Sequence, residues 1–188
     1  MSVIVFLVVW LIVALLVSLA GLLHQAPIPM PMLGAAITIV LLGMLIAWPA
    51  WRQRALAGGL RPLIAIHLTR FVGFYFLWLY SLGVLPRNFA EPAGWGDVIV
   101  AALAIVLLLV GDLSTGGRRI FLLVWNLLGL LDIMMVVTLA MRMSIADRGF
   151  QNAFASLPLS LLPTYIVPLV IASHALIFYR SIRSDRVA

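Results

Sequence analysis

Apolar residues run through this chain in stretches of about 20, and that length constrains the fold more than any motif does. A helix rises about 1.5 Å per residue, so such a stretch reaches across the ~30 Å hydrocarbon layer of a bilayer. Six stretches meet this criterion: 2–23, 32–50, 62–84, 97–111, 120–141 and 159–179, the fourth being short and beginning as early as Trp95. Lipid offers no partner to an unpaired backbone group, so all six are expected to be helices. The expected fold class is all-α. It is a polytopic six-transmembrane-helix bundle, formed as a single transmembrane domain over residues 1–188 with no repeat. Composition agrees: 65% of residues are hydrophobic and 10% charged, against about 45–50% and about 25% in soluble domains.

Several chemistries are excluded. There is no cysteine, hence no disulfide, thiolate metal site or thiol nucleophile. All twelve basic residues are arginine, so a lysine Schiff base of the retinal type is excluded. The net charge of +6 sits on arginines scattered singly at segment ends. There they meet lipid headgroups, and they do not form a nucleic-acid surface. The expected partners are the lipid bilayer and either a redox partner or a second copy of the chain. The first stretch lacks a basic leading region and exceeds the roughly 7–15 apolar residues of a signal peptide, so it is read as a retained span.

The connections carry the expected punctuation. "HQAPIPMPM" (24–32) holds three prolines, "LPRNFAEPAGWGD" (85–97) is rich in proline and glycine, and "GDLSTGG" (111–117) is a tight turn. "RGFQNAFASLP" (148–158) reads equally as a loop or as a short interfacial helix with Phe150 and Phe154 dipped into the headgroups. With six spans both termini share one side. That side holds Arg52, Arg54, Arg61, Arg118, Arg119, Arg180, Arg183 and Arg186, against Arg87, Arg142 and Arg148 opposite. The bias makes both termini cytoplasmic.

Polar groups at membrane depth are costly and mark functional sites by default. At helical rise, His67 and His174 lie at matching depths of roughly 8 Å beneath the cytoplasmic surface, on the third and sixth spans. Arg70 is read as the only arginine well inside a span and Asp132 as the only acid, so the two are expected to pair, with Asn126 a polar contact between helices. The alternative for these groups is a purely structural role in helix packing. Imidazole is the usual axial ligand of b-type haem, so His67 and His174 are the expected ligands of one haem b. Arg70 would be its anion partner, Asn126 and Asp132 would support it, and Phe71 and Phe74 would wall it. A quinone polarised by Arg70 is the variant of this reading.

Three other patterns compete. His24, Met30 and Met32, with Met141 and Met143, have the ligand types of a Cu(I) site. "GWGD" (94–97) matches the string of intramembrane aspartyl proteases, but Asp97 at the start of the fourth span reads better as a helix N-cap. Pro163 and Pro168 interrupt the sixth span and free carbonyls of the kind that line transporter paths.

The stretch "RFVGFYFLWLYSLGVLPRNFAEPAGWGD" (70–97) and the final "LPTYIVPLVIASHALIFY" (162–179) resemble a group of bacterial integral membrane proteins. These share an R-x-x-G start, an L-P-x-x-F-A-x-P-A-G-x-G-D loop and a proline-containing last span that holds a histidine. The resemblance covers about a third of the chain and implies a multi-pass protein of the bacterial inner membrane, without an activity. The functional expectation is a membrane redox protein binding one haem b or quinone near the cytoplasmic leaflet. The rivals are a small-solute transporter or channel using Arg70, Asp132 and the kinked sixth span, and a structural or assembly subunit of a membrane complex.

Overall fold

A computed structural model describes residues 2–111, 113 and 116–184, the side chains of 183 and 184 excepted. Parts of the expected turn at 111–117, together with Arg186 and the side chain of Arg183, lie outside the described residues. Every regular element among the described residues is helical. In chain order these are α1 (Val3–Leu19), α2 (Met30–Ala47), α3 (Pro49–Leu56), α4 (Leu60–Ala65), α5 (Val72–Ser81), α6 (Arg87–Leu109), α7 (Gly116–Ala146), α8 (Arg148–Ala155) and α9 (Val167–Ser184). A 3₁₀ turn, Ile66–Phe71, joins α4 to α5, and a π turn, Leu162–Ile166, leads into α9. Five continuous helical runs are long and apolar enough to cross a membrane: Met30–Ala47, Leu60–Ser81, Arg87–Leu109, Gly116–Ala146 and Leu162–Ile182. The first apolar stretch forms the shorter α1, of 17 residues.

Two expectations are corrected. The segment 85–97, expected to be a loop up to Asp97, is helical from Arg87, with Pro92 inside the helix. Pro92 is the sixth residue of this helix, and it removes the single ladder bond that its N–H would have given to the Asn88 carbonyl. Asp97 is therefore an interior residue of α6, 3% exposed, and not an N-cap. At 148–158 the helical alternative holds: Asp147 caps α8 by accepting from the Gly149 amide at 2.7 Å. Yet Phe150 and Phe154 are buried and stack on each other, with centroids 4.7 Å apart, so they face protein and not headgroups.

The chain forms two compact units. The first comprises Met1–Ala55 and Val137–Leu169, the second Leu56–Val136 and Val170–Ala188. In the first unit the polar interior is neutral. Trp10 donates its indole N–H to the Thr164 carbonyl at 2.9 Å. In a regular helix that carbonyl would accept from residue 168, but Pro168 has no N–H to give. The indole therefore gives this carbonyl a donor that Pro168 cannot supply. Beside it, Gly34 lets α2 approach the π turn so closely that a Cβ would lie 3.0 Å from the Pro163 carbonyl oxygen. Ser160 donates to Ser18 Oγ at 2.9 Å, and Ser18 donates in turn to the Ala14 carbonyl.

Besides a short 3₁₀ turn at Leu22–Gln25 in the first unit, the second unit holds the 3₁₀ turn Ile66–Phe71. Side chains three apart eclipse in that geometry. His67, Arg70 and Gly73 accordingly fall in one line and are all buried, and Phe76 and Leu79 continue the buried line along α5. Arginines also serve helix ends: Arg180 donates to the Leu56 carbonyl at 2.7 Å and Arg119 to that of Ser181 at 3.1 Å. Such bonds satisfy carbonyls left over at C-terminal turns.

Candidate functional site: a buried charge cluster and a histidine pair

The site lies wholly in the second unit and starts from glycines. A Cβ on Gly73 would collide with the Gly94 carbonyl and lie 3.0 Å from the Asp97 Cβ. One on Gly94 would lie 2.9 Å from the Gly73 carbonyl oxygen. Small residues on both sides let two helix backbones touch. This crossing of α5 and α6 brings Arg70, one turn before Gly73, alongside Asp97, three residues beyond Gly94.

Arg70 is 1% exposed. Its Nε–H donates to Asp97 Oδ1 at 2.6 Å, its Nη1–H to the Gly129 carbonyl at 2.9 Å, and its Nη2–H to Asp132 Oδ2. The other oxygen of Asp132 rests against Gly96, in the space that a side chain there would fill. The expected Arg70–Asp132 pair is present, and Asp97 joins it as a second acid. Arg70 thus answers two carboxylates, and the bond to Gly129 adds a third, neutral acceptor. The arrangement is unlike a protease dyad, in which two carboxylates share a proton directly, because each acid here accepts from the same guanidinium.

One face of α7 organises the rest. Asn126, Gly129 and Asp132 recur at three-residue spacing and so share that face. Asn126 is fully buried and binds His174 twice: its Nδ2 donates to the His174 carbonyl at 3.1 Å, and its Oδ1 lies 2.8 Å from His174 Nδ1. Since Oδ1 only accepts, His174 carries its proton on Nδ1. Its Nε2 is buried without a hydrogen-bond partner. A Cβ at Gly129 would meet that ring, 2.8 Å from Cε1 and 3.3 Å from Nε2. Gly129 therefore touches both halves of the site, with its carbonyl on Arg70 and its Cα on His174.

His67 shows the complementary pattern. Ser173 donates to the Val170 carbonyl at 2.7 Å, so the 2.9 Å contact between Ser173 Oγ and His67 Nε2 has the histidine as donor. His67 Nδ1 is left buried and without a partner. The two imidazoles touch, with centroids 4.2 Å apart and planes tilted by 57°, and Trp125 packs edge-on against His67 at 4.8 Å while lying 6.0 Å from His174. The fit to haem can be judged from this spacing. Two iron–nitrogen bonds of about 2 Å with a porphyrin between them hold imidazole centroids about 6 Å apart. Rings at 4.2 Å leave no such gap, so the pair as arranged does not fit a bis-histidine haem. Phe71 and Phe74 stack on each other at 5.9 Å, with Phe74 half exposed, while Trp125 and His174 wall His67.

Asp97, Gly129, Trp125 and Ser173 are the contributors that reading the sequence did not single out for these roles. For Asp97 the signal was available: glycines three after Arg70, and three and one before Asp97, are the small-residue spacing of a close helix crossing. Serine next to His174 was a weaker cue. Of the methionines set against His24, Met30 is fully buried and Met32 half exposed. Among the described residues no group of three or more His, Asp or Glu side chains is arranged to hold a metal ion.

No curated protein and no solved structure matches the chain significantly. Residues 27–182, which include every member of this site, match the family model described as a domain of unknown function, DUF8737, and the chain belongs to that family.

Proposed function

We propose that the protein is a multi-pass transporter for a small solute, in the bacterial inner membrane, and that its Arg70–Asp97–Asp132 cluster takes up and releases one proton during the cycle. The observation that carries this reading is the charge balance. A buried carboxylate, Asp97, and a partly exposed one, Asp132, face one guanidinium, so the fully ionised cluster holds one surplus negative charge at membrane level. A proton, or a positive group of the solute, neutralises it. Buried acids and histidines placed in this way are the usual parts of proton relays in pumps and transporters. Neighbouring His67 and His174 each keep one bare ring nitrogen within the same polar core. In this reading α1 is a sixth crossing. Its 17 residues extend about 26 Å, close to the hydrocarbon thickness. Both termini then lie in the cytoplasm on the arginine-rich side.

The test is proton movement in liposomes containing the purified protein, under an imposed potential and with panels of small sugars, amino acids and organic acids. Acidification several-fold above empty vesicles is expected, and Asp132→Asn should abolish it while keeping the helical circular-dichroism spectrum. Wild-type protein that moves protons no faster than empty vesicles with any of these solutes would remove the reading, as would full activity in Asp132→Asn. The rival reading, a structural subunit, draws on one observation: three nitrogens of Arg70 each already have an acceptor, as a static clamp between helices requires.

A further inference from the structure

A second candidate site lies in the first unit. Residues from 23–29 and 144–155 line a half-open pocket of about 240 Å³, room enough for a small anion. His24, Ser144, Arg148, Gln151 and Asn152 line it, and no acidic residue does. Gln151 is already engaged, since its Oε1 accepts from the Met30 amide at 3.0 Å and its Nε2 donates to the Ile28 carbonyl at 3.3 Å. It therefore fixes the wall by tying α8 to the loop before α2.

His24 is engaged too, its Nε2 lying 3.4 Å from Ser156 Oγ. Among the remaining polar groups Ser144 stands out. Ser18, Thr38 and Thr164 each turn the hydroxyl back to the carbonyl four residues earlier, as buried helical hydroxyls commonly do. Ser144 is 8% exposed and lines the cavity, yet its Oγ has no hydrogen-bond partner. Leaving a buried hydroxyl unmade carries a desolvation penalty, which a ligand in the cavity would remove. Arg148 forms no ion pair among the described residues. Arginine's fork matches carboxylate and phosphate oxygens.

We infer that this cavity binds an oxyanion. Arg148 supplies the charge, the Ser144 hydroxyl donates to one oxygen from the buried wall, and the Asn152 side-chain amide offers a further donor at the rim. The chemistry is that of a phosphate ester or carboxylate, and it has two possible sources: a free small anion or the headgroup of an acidic phospholipid.

The experiment uses the full chain in nanodiscs. In pure phosphatidylcholine discs, inorganic phosphate and acetate are titrated and the melting midpoint followed. A parallel set of discs contains phosphatidylglycerol with no added anion. A rise in midpoint with the free anions identifies a soluble source, and a rise confined to the phosphatidylglycerol discs identifies the lipid. In either case Arg148→Gln should weaken the effect at least roughly tenfold, Ser144→Ala should weaken it several-fold, and Arg142→Gln, an exposed arginine outside the cavity, should leave it intact. Arg148 is exposed, so its variant is expected to fold. No rise in any arm overturns the inference. So does an equal loss in Arg142→Gln, because the effect would then be that of general surface charge.

Discussion

The two units solve the problem of polar groups in an apolar chain by different means. In the first, the interior polar groups are neutral, and several repair defects of the backbone. Trp10 takes over for Pro168, Ser18 and Ser160 bond to each other, and Thr38 and Thr164 turn back to their own helices. In the second, the interior carries formal charge, and its partners are 27 to 62 residues apart in sequence. A neutral hydroxyl in lipid surroundings is satisfied locally at small expense, and losing its partner costs about 1–3 kcal/mol. A buried ion triad depends on three helices arriving together, and it leaves a stranded charge when one member is lost. Apart from the pocket at Ser144 and Arg148, the first unit therefore reads as scaffold. The second concentrates the groups whose expense has to be offset by function or by specificity of packing.

The largest effect expected from breaking this contrast is at Arg70. Arg70→Met strands Asp97, whose side chain is 4% exposed, together with Asp132. It should destabilise the protein by about 3–5 kcal/mol in reversible unfolding from detergent micelles. Exchanging the whole cluster is the sharper test. Arg70→Met, Asp97→Val and Asp132→Val combined should recover most of that stability, because apolar groups often replace buried ion clusters without loss. If the triple variant is stable and silent in proton movement, the charges serve function. If it is stable and fully active, they only held helices in place.

Next in size is a pair of glycine substitutions with opposite signs. Gly43→Ala, in α2 of the first unit, meets nothing within 4 Å and should stabilise by up to about 1 kcal/mol through helix propensity. Gly73→Ala drives a methyl into the Gly94 backbone, which cannot rotate away, and should lose about 1–3 kcal/mol despite the same propensity gain. Both are read as shifts in unfolding midpoint. Equal gains at the two positions would mean that the α5–α6 crossing is not the close contact that positions Arg70.

How much of this was legible in the sequence follows the same division. Helices were legible, because apolar runs near membrane length leave no alternative, and five of the described runs reach that length. The Arg70–Asp132 pair followed from counting charges, and Asn126 beside His174 from depth and residue type. Asp97 was lost because Pro92, Gly94 and Gly96 look like loop punctuation; in the fold the proline sits early in α6 and the glycines are contact points. The contact between His67 and His174 was foreseeable from matching depths. Its tightness was not, since rise along a helix gives height but not the distance between axes. Nothing in the composition of "IHLTRF" announces a 3₁₀ turn, yet that turn aligns His67 with Arg70.

The smallest effect sharpens the scaffold side of the comparison, and a double-mutant cycle isolates it. Trp10→Phe keeps the ring that packs edge-on against Tyr165, at 4.8 Å in the native protein, but removes the N–H held by the Thr164 carbonyl. Alone it should cost about 1–2 kcal/mol, mainly for leaving that carbonyl without a donor. Pro168→Ala returns a backbone N–H at the position from which a helix would supply the bond. In that background Trp10→Phe should cost less than half as much, giving a coupling energy of about 1 kcal/mol between residues far apart in sequence. A cycle that closes to zero would show that the Thr164 carbonyl does not need the indole. The neutral interior of the first unit would then be incidental packing, and would no longer count as a repair that lets a proline-broken helix persist without charge.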